Sequence, residues 1–207
     1  MLKMMSHNLL TLFLFCLLVD SSKCVEVACS NDTNVNAVCE CTERTQTVNS
    51  TNRGLNEWPV GIPVNKQVLY LRDNNLKKID TNALLELQEL NSINLSNNSL
   101  TSLPTFPKII SSVNISYNNL KEIDDDALLD LHYLISIYAM NNMLTEISTC
   151  FNDLPHLHTV IIDHNSISIL KNTTFKGSSR VDHVYMSSNH ILGIEPFTFV
   201  NMQLRLL

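Results

Sequence analysis

The sequence predicts an α/β solenoid: a curved stack with a parallel sheet on its concave side and a mostly irregular or short-helical convex side. One apolar pattern recurs in phase through most of the 207 residues, and a single asparagine marks every copy. The composition suits such a stack. Hydrophobic residues make up 44% and charged residues 16%, enough apolar material to bury, while four glycines and six prolines exclude collagen and flexible low-complexity chains. The balance of 20 acidic against 14 basic side chains, net −6, runs opposite to that of a nucleic-acid binder, so no nucleic-acid partner is expected.

The pattern is Leu-x-x-Leu-x-Leu-x-x-Asn-x-Leu, clearest at Leu90/Ile93/Leu95/Asn98/Leu100. Further copies are Ile110/Val113/Ile115/Asn118/Leu120, Leu134/Ile137/Ala139/Asn142/Leu144, Leu157/Val160/Ile162/Asn165/Ile167 and Val181/Val184/Met186/Asn189/Ile191. The first copy, Leu69/Leu71/Asn74/Leu76, carries Lys66 in the opening apolar position. The asparagines are spaced 24, 20, 24, 23 and 24 residues apart, and the pattern is identified as the leucine-rich repeat. The alternating leucines of each copy face inward from a short strand. Asn74, Asn98, Asn118, Asn142, Asn165 and Asn189 follow where the backbone leaves its ladder partners, and a side-chain amide there both donates and accepts. Leu84, Leu128, Phe151, Phe175 and Phe199, nine or ten residues after an asparagine, supply a second apolar layer. No repeat buries its apolar face alone, so six stacked repeats over 64–207 make one body.

Residues 1–21 read as a secretory signal peptide: Lys3, then the uncharged run Leu9–Val19, then Val19 and Ser21 at the −3 and −1 positions. Eleven apolar residues are about half the ~20 that span a bilayer. Secretion also fits the cluster Cys24, Cys29, Cys39 and Cys41 and the six N-glycosylation sequons at Asn31, Asn49, Asn94, Asn97, Asn114 and Asn172. The expected location is extracellular, with membrane attachment only if the chain is part of a longer one.

Cys39-Glu40-Cys41, Val48-Asn49-Ser50-Thr51-Asn52-Arg53-Gly54-Leu55 and Trp58-Pro59-Val60-Gly61-Ile62-Pro63 resemble the cysteine-rich N-terminal flank of extracellular leucine-rich-repeat proteins. That superfamily includes Slit-type guidance ligands, small leucine-rich proteoglycans, Toll-like receptor ectodomains and variable lymphocyte receptors. The resemblance covers nearly all of the mature chain and assigns residues 22–63 to the cap. It implies a leucine-rich-repeat horseshoe that recognises a protein ligand or receptor in adhesion, matrix organisation, guidance or innate recognition. The alternative it implies is the N-terminal part of a Toll-like or other single-span receptor ectodomain.

The chain departs from that family at two places. Ser50 stands where the last cap cysteine usually sits, so the remaining four cysteines allow three connectivities, of which Cys29–Cys41 with Cys24–Cys39 is favoured. The sixth repeat leads to Met202 and Leu207 with no C-terminal cap cysteine, so either the chain is a fragment of a longer ectodomain, the favoured expectation, or a partner or self-association covers that edge. Cys150 is expected to be a buried small hydrophobe.

The residues between the inward leucines place Tyr70, Asn94, Asn114, Tyr138, Ile161 and Tyr185 in one concave column. Glycans on Asn94, Asn97 and Asn114 would block its N-terminal part, leaving Tyr138, Ile161 and Tyr185, with Met140, His158 and His183 around them, as the candidate ligand surface. His158 is expected near Asp182 across adjacent strands, with His164 and Asp163 close by, but nothing imposes a tetrahedral metal geometry. No catalytic or phosphate-binding motif occurs, so neither enzymatic activity, a cofactor nor a metal is expected.

Overall fold

The computed structural model describes residues 39–42, 45–124, 126–147, 149–200 and 202. The repeats form three-residue strands: β3 (Val68–Tyr70), β4 (Ser92–Asn94), β5 (Ser112–Asn114), β6 (Ser136–Tyr138), β7 (Thr159–Ile161) and β9 (His183–Tyr185). Each pairs in parallel with the next in direct register, one repeat position against the same position of its neighbour. The sheet starts earlier than the six repeats, inside the segment assigned to the cap. Strand β2 (Thr47–Asn49) adds in parallel to β3, and β1 (Glu40–Thr42) turns back antiparallel on β2, giving eight strands in the order β1-β2-β3-β4-β5-β6-β7-β9.

The core follows the repeat. Leu69, Ile93, Val113, Ile137 and Val160 point inward at the strand centres, and Leu71, Leu95, Ile115, Ala139 and Ile162 two residues later; all are 0–1% exposed. In the segment assigned to the cap, Val48 and Leu55 occupy corresponding places, and Trp58 packs on the same core. Lys66 is fully buried in its opening position.

Among the described residues the convex side is irregular apart from one short helix, α1 (Thr81–Leu85), and a two-stranded parallel pair, β8 (Ile169–Leu170) with β10 (Gly193–Ile194). Asp80 caps α1, its carboxylate accepting from the backbone N–H groups of Asn82 and Ala83. Residues 126–130 form turns. Phe151, Phe175 and Phe199 stack at 5.7 and 6.0 Å between ring centroids. The 20-residue repeat fills this layer with Phe106, 1% exposed, which its shorter spacing hides from a count made from the asparagine. Cys150 is buried in the core.

The asparagines join neighbouring coils. Asn118 Nδ2 donates to the carbonyls of Ile115 and Ser116 in its own repeat and of Leu95 in the preceding one, while its Oδ1 accepts from Leu100 N–H. Asn98, Asn142, Asn165 and Asn189 repeat the arrangement. Asn74 binds the preceding coil through Ser50 O and the N–H groups of Arg53 and Leu55.

The residue before each ladder position is left-handed. Asn52, Asp73, Asn97, Tyr117, Asn141, His164 and Ser188 all have φ between 52° and 58°. This sharp turn re-aims the chain so that the next polar atom enters the ladder. Asn, Asp and His tolerate it well, and Tyr117 is the bulky exception.

Replacing Asn118 with Ala strands Leu100 N–H and the carbonyls it serves in a dry interior, and should destabilise the fold by about 3 kcal/mol. Urea unfolding followed by circular dichroism measures this. The exposed neighbour substitution Asn119→Ala should stay within about 0.5 kcal/mol of the parent.

Candidate functional site on the concave face

Direct register turns the sheet surface into columns. The central column reads Asn49, Tyr70, Asn94, Asn114, Tyr138, Ile161, Tyr185, each residue the Cα partner of the next. Asn49 joins it because β2 belongs to the sheet. Three sequon asparagines therefore lie along the N-terminal part of one column, with Tyr70 between two of them.

These asparagines share a local geometry. Each side-chain oxygen accepts from the backbone N–H two residues on: Asn49 from Thr51, Asn94 from Ser96 and Asn114 from Ser116, all at 3.0 Å. Each of the three thus closes an Asx turn at the end of its strand. Asn97 differs: it sits in the left-handed turn beyond β4, and its Nδ2 donates to Asp73 at 2.8 Å. Asn172 is on the convex side, where its N–H donates to Glu195. Asn31 lies outside the described residues.

In the C-terminal part, Tyr138 and Ile161 are half-buried between their strand neighbours and Tyr185 is 36% exposed. The Tyr185 ring stacks on His183, the centroids 6.2 Å apart and the planes within 9°. His183 Nδ1 lies 2.9 Å from Asp182 Oδ1, and as a carboxylate only accepts, the imidazole N–H points there. His158 stands one residue ahead of β7, at the leading edge of the sheet rather than in the column. Its Nδ1 donates to Arg180 O at 3.0 Å and lies 4.0 Å from Asp182 Oδ1. Met140 is half-buried in the column after Tyr138, and in that column Asp163 accepts from Ser187 N–H. Among the described residues no group of three His, Cys, Asp or Glu side chains is placed to hold a metal ion.

The register also reveals a hydroxyl column at the first strand position: Ser92, Ser112, Ser136 and Thr159, with Ser136 and Ser112 hydroxyls 3.2 Å apart. Each member immediately precedes the first inward strand residue of its copy, Ile93, Val113, Ile137 or Val160, so superposing the repeats is the signal that finds the column. The last repeat exposes Leu192, Ile194, Phe197 and Val200.

Of the candidate disulfide residues, Cys24 and Cys29 lie outside the described residues and Cys41 sits on β1. Cys39 is buried, and its Sγ touches the buried Ser50 Oγ. The serine thus occupies the place from which a second cysteine would reach Cys39.

A leucine-rich-repeat family model matches residues 110–167 and 155–207. No curated protein matches the sequence at a significant level. Two solved structures are similar. One is a chain of the complex of TLR13 with ssRNA13, 26% identical with a TM-score of 0.62 over 67% of this chain. The other is a chain of the octameric complex of latrophilin 3, Unc5D and FLRT2 (LRR), 22% identical with a TM-score of 0.63 over 82% of this chain. This chain spans 20% of the first and 60% of the second. The fold is a leucine-rich-repeat solenoid.

Proposed function

We propose that this leucine-rich-repeat protein is an extracellular, non-enzymatic recognition module that binds a protein partner through the C-terminal part of its concave face. The observation that carries this reading is the division of one column into two stretches, sequon asparagines at positions 49, 94 and 114 and then Tyr138, Ile161 and Tyr185. Glycans rooted on the first stretch would cover it, leaving the second as the accessible part. Aromatic side chains on a rigid sheet lose little conformational freedom on binding and present large contact areas, the properties of interface hot spots.

The surrounding chemistry favours protein over nucleic acid. Around Tyr138, Ile161 and Tyr185 the concave positions hold Ser136, Met140, Thr159, Asp163, His183 and Ser187, with no Lys or Arg among them. A phosphate backbone needs a basic stripe, which this surface lacks. TLR13 is bound to ssRNA in its complex, and the FLRT2 repeats occur in a complex with Unc5D and latrophilin 3. The second precedent fits the surface better.

The secreted location rests on the N-terminal segment, the cysteine cluster and the sequons. A second reading, that the chain is the recognition arm of a longer receptor ectodomain, draws on the likeness to a chain of which it spans 20%.

Changing Tyr138 and Tyr185 together to Ala should lower affinity at least about 100-fold for any extracellular receptor ectodomain that binds the secreted protein in a purified panel. Secreted yield should be unchanged. Surface plasmon resonance against each binding ectodomain is the measurement, and undiminished affinity would place recognition elsewhere.

A further inference from the structure

One lateral edge of the solenoid carries a row that neither the core nor the concave face explains. Glu89, Ile109, Tyr133, His156 and Arg180 each stand one residue ahead of a buried opening position, namely Leu90, Ile110, Leu134, Leu157 and Val181. The in-register sheet stacks them into a column beside the leading ends of the strands. All five are exposed, Tyr133 at 60% and Ile109 at 41%, and Ile135 beside them is 46% exposed. The Tyr133 ring stacks on His156, the centroids 6.2 Å apart and the planes within 12°. His156 is oriented by His132 O at 2.7 Å. Next to Ile109, Lys108 is paired with Asp130 at 3.1 Å, so these charges balance.

Along the stack, the row runs negative, apolar, aromatic, imidazole, positive. That order is complementary to its own reverse. A two-fold axis through Tyr133, directed from the convex to the concave side, sets Tyr133 against its counterpart, Ile109 against His156, and Glu89 against Arg180. Glu89 and Arg180 lie four strand spacings apart, about 19 Å, so both ionic contacts fit one flat edge at once. A chain of net charge −6 repels its own copies over most of its surface, and this edge offers locally balanced charge with apolar area at its centre. The edge is also clear of carbohydrate sites among the described residues. Asn49, Asn94 and Asn114 lie on the concave face, Asn97 follows the far ends of the strands, and Asn172 is convex.

We propose that two copies of this chain associate through this edge as an isologous, antiparallel dimer centred on Tyr133, with Glu89 of each copy facing Arg180 of the other. Both concave faces then open in the same direction, so the dimer would present two recognition surfaces side by side. The proposal stands apart from the concave-face reading, since none of its residues belongs to that surface.

Sedimentation equilibrium of the secreted full chain tests it. The parent protein should dimerise at micromolar concentration, more weakly as salt is raised. Each contact occurs twice in an isologous interface. Tyr133→Ser, Glu89→Arg and Arg180→Glu should therefore each weaken the dimer at least about tenfold, with circular dichroism unchanged because all three side chains are exposed. The combined Glu89→Arg and Arg180→Glu exchange should restore the parent dimerisation constant to within about threefold. A parent chain that stays monomeric overturns the proposal. So does a dimer that survives the three single substitutions, as one formed through Leu192 and Phe197 of the last repeat would, and so does a charge exchange that fails to restore association.

Discussion

The structure depends on one side-chain amide per turn. A three-residue strand is too short to satisfy the backbone on either side of it, and each coil leaves carbonyls facing a dry interior as it turns away. In every repeat an asparagine closes those gaps, donating to carbonyls of its own coil and the preceding one while accepting from that coil's backbone. Orphaned buried polar groups cost more than an ordinary hydrogen bond contributes, so these residues hold the coils in fixed relation. The left-handed turn before each asparagine is the local conformation that permits the bridge, and it recurs at every coil, including the one after β2, where Arg53 stands in the asparagine's place.

Fixed relation between coils means fixed register, and register is what gives the surface its meaning. Side chains separated by twenty-odd residues in the chain become neighbours one strand spacing apart. Asn94 beside Asn114, Tyr138 beside Ile161 and Ile161 beside Tyr185 are all consequences of the ladder rather than of local sequence. Such a surface is built of stripes on a stiff backing. It suits the recognition of another macromolecule's surface, since an open sheet face does not enclose reacting groups and desolvate them as a deep cavity does.

The solenoid was legible in the sequence because its two strongest signals, inward apolar pairs and the asparagine, are imposed by the interior and recur without regard to surface function. The coil of β2 was not, because Ser50 and Arg53 replace the apolar and asparagine markers, even though Val48 and Leu55 keep their places in the core. Phe106 was missed because a 20-residue repeat shortens the convex path and shifts its aromatic. The concave Tyr138–Ile161–Tyr185 stripe could be written down from alternation alone. His158 could not be placed that way: it falls one residue before β7, and its imidazole is turned to Arg180 O and toward Asp182 at the edge. The expected cysteine pairing lies mostly outside the described residues, and the contact of Cys39 with Ser50 is a feature only the fold could bring together.

The proposed division of the concave column into a carbohydrate-covered and an open stretch is most directly tested by hydroxyl-radical footprinting of tyrosines, on protein expressed through a glycosylating secretory pathway, before and after enzymatic removal of N-glycans. Tyr70 lies between Asn49 and Asn94, whereas Tyr138 is followed by Ile161 and Tyr185. Tyr70 should be protected in the glycoprotein and become reactive on deglycosylation, while Tyr185 reacts equally in both. Equal reactivity of Tyr70 in the two samples, or a rise at Tyr185 matching that at Tyr70, would contradict the division.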